Sequence, residues 1–435
     1  MSDRVNTLRT SDSEVRAEGR ATTAPNSQPA THKVAYDALV LDGKLRKSLA
    51  TVRSLGSRGL RVAVLETSDS GGVPAFSSRW CQQRFVCPAN EGTEAYFTYL
   101  EQVLDRIDAR VLIASSDATI ALIRRHREQL ERRVRIALAK EPALGTAINK
   151  EQMLAIARQL GVAVPRAVAV GAVSEVAAAL HEIGLPAVVK PVESWGWNGQ
   201  QGSRIVPQLV MTPDEARHAV EELTRFGGTT LFQEFLSGRR ESLSLFYANG
   251  EVHARFAFWG KRTLPLMGGI YVLRQAIAFP PDSGDQAERL VREIGLEGYS
   301  QVEFRRDAAG KPYLMEINPR LNMAIGHAVY AGVDFPYLLY QWASGEQIDR
   351  VKSYPTGSWM RHLNGDIRAT AEAVRQRGIP GVPSPARAIL DFCLSFLTPM
   401  KYDYVDWRDP LPVWTATKGF LSHHLQRLPG RSQSI

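Results

Sequence analysis

Tyr299-Ser-Gln-Val-Glu-Phe-Arg-Arg306 and Tyr313-Leu-Met-Glu-Ile-Asn-Pro-Arg320 are two short runs that mix apolar and oxygen-bearing side chains, joined by Asp307-Ala-Ala-Gly310. Asp and Gly in the connection are turn formers, so the pair predicts an antiparallel hairpin. Strand residues two apart share a face, which points Glu316 and Asn318 the same way. Glu303 on the partner strand falls opposite or diagonal to Glu316 on that face. Two carboxylates and an amide thus converge in a segment otherwise apolar. Packed together unpaired, the carboxylates are costly, and a hard cation such as Mg²⁺, which prefers oxygen ligands, offsets that cost. Arg320 lies just beyond, placed to hold a carboxylate or phosphoryl group bidentately. The plainer alternative is an exposed hairpin with scattered charges. The string Glu316-Ile-Asn-Pro-Arg320 is too specific to favour it.

Upstream, Leu185-Pro-Ala-Val-Val-Lys-Pro191 reads as a buried strand that carries Lys190 near its end. A lysine there is expensive unless it meets an anion, and a nucleotide phosphate is the obvious one. Lys150 opens a helix running to Leu160, with Met153, Leu154, Ala157 and Leu160 inward and Gly161 closing it. Ser174 is expected to cap the next helix, which ends near Gly184. Glu193 to Gly202 form a loop with three glycines and two tryptophans; Gly199 and Gly202 let backbone N–H groups approach phosphate oxygens. After the strand Thr230–Leu236, the edge at Glu234, Phe235 and Leu236 can bond an adenine through its backbone. Glu241, seven residues past Glu234, is placed for ribose hydroxyls.

The rest of the chain sets the frame. Residues 1–33 are rich in Ser, Thr, Arg and Asn and read as a disordered leader. Strand, helix and strand follow within Ala38–Leu65 and the pattern recurs to about residue 140, giving a small parallel α/β domain at 34–140. Its first turn, Leu41-Asp-Gly-Lys-Leu-Arg46, is not GxGxxG, which disfavours a dinucleotide site; no GxxxxGK[ST] or HExxH occurs. At 435 residues, 44% hydrophobic and 23% charged, the chain has the composition of a folded globular protein with two or three domains. A net charge of +8 suits anionic ligands such as nucleotides and is weak support for nucleic acid. The run from Arg124 to Arg133 is broken by Glu128 and Glu131 and reads as a solvated helix face. Three cysteines with no CxxC pair, no signal-like core and no apolar run of spanning length point to the cytoplasm.

In this order, the features from about 145 to 345 resemble the ATP-grasp superfamily, in which two subdomains clamp ATP between two sheets. The resemblance implies an α/β and α+β chain: the 34–140 domain, then an ATP-grasp domain at 145–345 (lid subdomain about 150–230, C-terminal subdomain about 231–345), then an extension at 346–435. It implies Lys150 and Lys190 as phosphate contacts, the loop with Gly199 and Gly202 as the lid, and Glu234, Phe235 and Leu236 as the adenine hinge. It further implies Glu241 as the ribose carboxylate, Glu303, Glu316 and Asn318 as magnesium ligands, and Arg320 as the acylphosphate-stabilising arginine. Lys261-Arg262, followed by Pro265, Gly268-Gly269 and a strand to Ile277, most resembles the short carbamoyl-phosphate-synthase-like carboxylate–amine ligases, with Lys261 and Arg262 as candidate substrate contacts.

The expected activity is therefore ATP-dependent ligation. A carboxylate is phosphorylated with Lys190 and Arg320 assisting, two Mg²⁺ ions (or Mn²⁺) neutralise charge, and an amine displaces the phosphate. The alternatives are a nucleotide-binding scaffold without turnover, or bicarbonate as the carboxylate. The expected partners are small molecules and not nucleic acid, and a homodimer is compatible. The aromatic and basic tail from Ile389 to Leu428 reads as a small domain packed on the core in preference to a membrane or partner contact.

Overall fold

The apolar runs of the first hundred residues fold as a parallel sheet. The computed structural model describes residues 33–68, 72–198, 201–225, 228–266, 268–376 and 382–425, so nearly all of the leader, Gly199 and the extreme C-terminus lie outside the described residues. Val34–Val40 (β1), Val62–Glu66 (β2), Cys81–Val86 (β3), Ile107–Ile113 (β4) and Arg135–Ile136 (β5) pair in the order β3-β2-β1-β4-β5. The central strands read as near-continuous hydrophobic runs because helices cover both faces. Leu39, Val40, Val111 and Leu112 are wholly buried. Thr93 and Ser116 cap the helices Glu94–Arg106 and Asp117–Arg125 through their side chains. Strand β1 has β2 on one side and β4 on the other, so the winding reverses there. That leaves a crevice beyond the carboxyl ends of β1 and β4.

The second layer is antiparallel. Ala167–Val170 (β6), Ala187–Pro191 (β7), Gln208–Val210 (β10) and Thr230–Glu234 (β11) pair as β10-β7-β11-β6, and the hairpin of Trp195–Asn198 (β8) and Gln201–Arg204 (β9) leaves the sheet after β7. The helices Val176–Ile183 and Pro213–Thr224 close its core against Val189 and Phe232. Ser174 does not cap the first of these. It lies inside the 3₁₀ turn Val173–Glu175, and the helix starts after Glu175 with no side-chain cap.

The largest sheet has seven strands. Arg240–Ala248 (β12), Glu251–Leu264 (β13), Ile270–Ile277 (β14), Gly298–Arg306 (β15), Pro312–Asn318 (β16), Trp359–Arg361 (β17) and Lys401–Tyr402 (β18) run in the order β16-β15-β12-β13-β14-β17-β18. The tail thus extends this sheet through β17 and β18. Asp403 pairs with Arg46 and Arg274, and Asp409 with Arg53, tying the tail to the first helix. The side chains of these carboxylates are 4% and 1% exposed, so their guanidinium partners are a condition of burying them. Trp407 and Leu397 in the same region remain 90% and 79% exposed.

Candidate active site

The β15–β16 register sets the acidic wall. Glu303 pairs directly with Glu316 and Gln301 with Asn318, while Ser242 on β12 faces Glu303 from the other side. The register shifts after Glu303, since Phe304 faces Leu314, so Met315 is the extra residue of a bulge. Glu303 accepts from Arg240 Nη2 at 2.9 Å, Tyr271 Oη at 3.0 Å and Gln301 Nε2 at 3.0 Å. Glu316 accepts from Asn318 Nδ2 at 3.1 Å. The two carboxylates titrate apart. Burial raises Glu303 despite Arg240, and the nearby Glu316 charge adds to the rise. Burial alone would raise Glu316 as well, but Lys150, Asn318 and Lys190 outweigh it and hold it below the usual range.

Both lysines are buried. Lys150 is the first residue of the helix Lys150–Gln159, which Asn149 caps by accepting from Gln152 N. Its Nζ donates to Ser194 Oγ at 3.1 Å, beside the lid. Lys190 lies within β7, with Nζ 3.5 Å from the bulge carbonyl of Met315. Burial, then the like charge of Lys150, push its ammonium down to about 7. Two buried lysines and the Glu316 carboxylate therefore lie within electrostatic reach of one another, an arrangement that favours an arriving polyanion.

Next to the hairpin is a cavity of about 590 Å³, lined by Glu303, Glu316, Asn318 and Arg320 on one side and by Lys47, Glu91 and Asp117 from the parallel sheet on the other. A smaller recess of about 170 Å³ holds Lys150 and Ser194 and shares Asp117, Glu316 and Asn318 with it. Arg320 reaches across: its Nε and Nη2 donate to the two oxygens of Asp117 at 2.5 and 3.1 Å. Burial would raise Asp117, but this pairing holds it far below the usual carboxylate range. The loop after β1 is fixed by Asp42, which accepts from Ser115 N, Ser116 N and Thr119 Oγ1 at 2.8, 2.7 and 3.0 Å.

Arg240, Tyr271, Asp117, Lys47 and Glu91 were not among the residues singled out from the sequence. Asp117 and Lys47 carried a signal, since both lie just past strand ends in a doubly wound sheet, where ligands bind. Arg240 and Tyr271 carried none.

Several expected contacts lie elsewhere. The alternation that turns Ser242 toward Glu303 turns Glu241 to the opposite face, where Arg306 Nε donates to it at 2.8 Å. Glu234 binds Arg166 through both oxygens, at 2.8 and 3.0 Å. At the hinge Glu234 N donates to Arg166 O and Leu236 O accepts from Arg305 at 2.7 Å, while the Arg305 guanidinium covers the Phe235 ring. Arg262 is spent on the buried Asp366 at 2.6 and 2.8 Å, and with Lys261 it lines a separate cavity of about 340 Å³. Gly202 is the seat of the Trp195 indole: a Cβ there would lie 2.3 Å from the ring. Gly92 of the parallel-sheet region flanks the same indole equally closely, so the hairpin is latched onto that region. Gly199 lies outside the described residues.

Comparison with known proteins agrees with this layout. A family described as "ATP-grasp in the biosynthetic pathway with Ter operon" matches residues 229–365. The D-alanine–D-alanine ligase of Chromohalobacter salexigens is 27% identical over 218 residues, covering 45% of this chain and 64% of the relative, so the chain spans less than two thirds of that protein's length. Among solved structures, the biotin carboxylase domain of the Hydrogenobacter thermophilus 2-oxoglutarate carboxylase superposes with a TM-score of 0.59 at 15% identity, covering 74% of this chain and 73% of that one. The L-amino acid ligase of Bacillus licheniformis gives 0.52 at 19% identity, covering 71% and 74%. With two buried lysines, an oxygen-lined hairpin and a doubly wound sheet across the cleft, the chain shares the fold of these structures and is similar over residues 229–365 to an ATP-grasp family.

Proposed function

We propose that this protein is an ATP-dependent carboxylate–amine ligase that works through an acylphosphate. The observation that carries the reading is the continuity between the Lys150 recess and the larger cavity, with Glu316 and Asn318 on both and the Arg320–Asp117 pair at their junction. A nucleotide in the first and a carboxylate in the second would meet there.

In this reading Lys150 and Lys190 hold the phosphates. Lys190, neutral or charged in the empty site near pH 7, is driven to the charged form by the arriving anion. Glu303, Glu316 and Asn318 fit a hard cation, because they offer oxygens only and Glu303 is a buried carboxylate beside a second one. Among the described residues no group of three or more His, Cys, Asp or Glu side chains forms a metal cluster, so the set is two carboxylates and an amide. Bound Mg²⁺, as two ions or replaced by Mn²⁺, would supply charge neutralisation at the phosphates. Arg320 orients the acyl oxygens, and Asp117 keeps its guanidinium aimed. Glu91, across the cavity, offers a carboxylate to the incoming ammonium. Catalysis is then positioning and charge stabilisation in a water-poor cleft. A cavity of about 590 Å³ falls in the ~300–1,000 Å³ range of ligand pockets and exceeds what bicarbonate needs, which favours a larger carboxylate.

The domain limits 34–140, 145–345 and 346–435 belong to the same proposal, as does a cytoplasmic site of action. Among the described residues no helix is long and apolar enough to cross a membrane, and Cys81, Cys87 and Cys393 are free. The test is ADP formation against a panel of carboxylates paired with amines, with product masses recorded. Expected is ADP that depends on both partners and a product equal to their sum less one water. Tight nucleotide binding without turnover on any pair would sink the reading in favour of a scaffold.

A further inference from the structure

Two cations of the large cavity are left unused by that mechanism. Lys47 stands in the first turn of the helix Arg46–Gly56, just past β1, in the crevice where the winding of the parallel sheet reverses. It is 3% exposed and lines the cavity with Asp117, Arg204 and Arg320. Among the described residues no carboxylate forms an ion pair with its Nζ, and the anions nearest to it are already engaged: Asp117 by the fork of Arg320, and Asp42 by Ser115, Ser116 and Thr119. Arg204 comes from the other side, on β9 of the lid hairpin, and is exposed and likewise without an ion pair among the described residues. Of the cations that line the volume, Arg240 is paired with Glu303 and Arg320 with Asp117, which leaves Lys47 and Arg204 without an ion pair among the described residues. Burying a lysine without an ion pair is unfavourable unless a ligand supplies an anion. In support, burial and then the Arg320 charge hold the Lys47 ammonium well below its usual range, and an anion would reverse this.

The triphosphate does not supply that charge. Lys150 lines the small recess and Lys47 the large cavity, and Asp117, held by Arg320, stands on the wall that the two share. Nor does the reacting carboxylate, which Arg320 serves. We propose that Lys47, with Arg204 closing from the lid, binds a second anionic group of the acyl donor. The donor is then a small dianion: one carboxylate reacts beside Arg320, and a second carboxylate or a phosphate rests on Lys47. The word donor rests on the ligase reading; the anion site does not.

Calorimetric titration of the full chain with MgADP present tests this, using butyrate, glutarate and 3-phosphonopropionate as probes. Both dianions should bind the wild type at least about tenfold more tightly than butyrate, the effect of one buried charge pair. The better of the two identifies carboxylate or phosphate as the second group. Lys47→Met, close in shape and uncharged, should bring all three within about twofold of one another, and Arg204→Gln should weaken the dianions alone. Equal binding of butyrate and the dianions by the wild type, or a preference that survives K47M, overturns the proposal. Should K47M fail to fold, R204Q decides, because that residue is exposed on the lid. Amide formation separates the two ideas. Ligation of monocarboxylates as fast as dianions sinks the second-anion site and leaves the ligase standing. Dianion binding that needs Lys47, with no ligation of any pair, upholds the site and sinks the ligase.

Discussion

One wall of the main cavity is a single hairpin, and the other is gathered from separate loops. On the hairpin wall, Glu303, Glu316 and Asn318 are held by strand register alone, and their positions relative to one another follow from pleat and pairing. On the opposite wall, Lys47 and Asp117 come from turns about 70 residues apart, brought together because Asp42 accepts three hydrogen bonds from the segment Ser115–Thr119. The hairpin sets two carboxylates side by side, the loops bring one cation, Lys47, among the acids Glu91 and Asp117, and Arg320 on Asp117 crosses between the walls. The difference teaches that local geometry suffices to build the part proposed to meet phosphate and metal. The part proposed to select the acyl and amine groups depends on tertiary packing, and loops on a rigid sheet can change without disturbing the hairpin.

The largest effect is expected on the hairpin wall. Glu316→Gln keeps the shape and removes one of the two facing carboxylates, so ligation should fall by about 10²-fold or more while the melting temperature holds. Near-normal ATP consumption by this variant would remove the hairpin from the chemistry. The bridging pair comes second. Arg320→Lys keeps the charge and loses the fork on Asp117, so ligation should drop by roughly 10–10²-fold with nucleotide Kd almost unchanged. Asp117→Asn should reproduce much of that loss, because it frees the same guanidinium. Parallel loss of nucleotide affinity in R320K would place Arg320 on the phosphate side and dissolve the distinction between the walls.

What could be read from the amino acids follows the same division. The hairpin was legible because alternation in a strand is a local rule, and so was the parallel sheet, whose strands are apolar throughout. The face that Glu241 takes was not legible, for an equally physical reason: its spacing from Glu234 says nothing of which face of β12 it takes, and pairing of Ser242 with Glu303 fixes that. Arg262 looked like a substrate contact, but Asp366, 104 residues later, claims it. Lys47 and Asp117 were invisible as a pair of neighbours, since only the packing of β1 beside β4 joins their turns. Glycine in the lid was assigned to phosphate, while at Gly202 it makes room for an indole.

The seam between lid and loop wall gives a third, smaller effect. Gly92 has φ +68°, and an added Cβ would lie 2.3 Å from the Trp195 ring. Gly92→Ala is therefore strained in backbone and contact, and should lower stability by about 1–3 kcal/mol and loosen the lid. Thermal melting and protease cleavage at the lid measure both. Trp195→Ala alone should cost stability, yet in the double variant the steric part of the G92A penalty should vanish, leaving only the backbone part. Strict additivity would mean that the indole is not what Gly92 makes room for.

The smallest effect concerns Glu91, an acid of the loop wall with no cationic partner among its hydrogen bonds in the described residues. It accepts from Ser116 Oγ at 3.0 Å, and burial, then the Asp42 charge, raise its carboxyl from 4.5 to about 7. The folded chain thus holds this proton more tightly than the unfolded one. The stabilisation is complete below pH 4.5, fades as pH rises from there through 7, and is absent above. Glu91→Gln keeps the acceptor for Ser116 and has no proton to lose. Relative to the wild type it should melt at nearly the same temperature near pH 4.5 and gain up to about 1 kcal/mol by pH 8, a figure reduced for partial exposure. Melting curves of both proteins across pH 5 to 8 measure the gap. A gap that widens with pH fits a carboxyl waiting for an ammonium, which would ionise it on binding. A gap of the opposite sign would show Glu91 already ionised and paired in the empty protein, and the amine would then have to be sought on the hairpin wall.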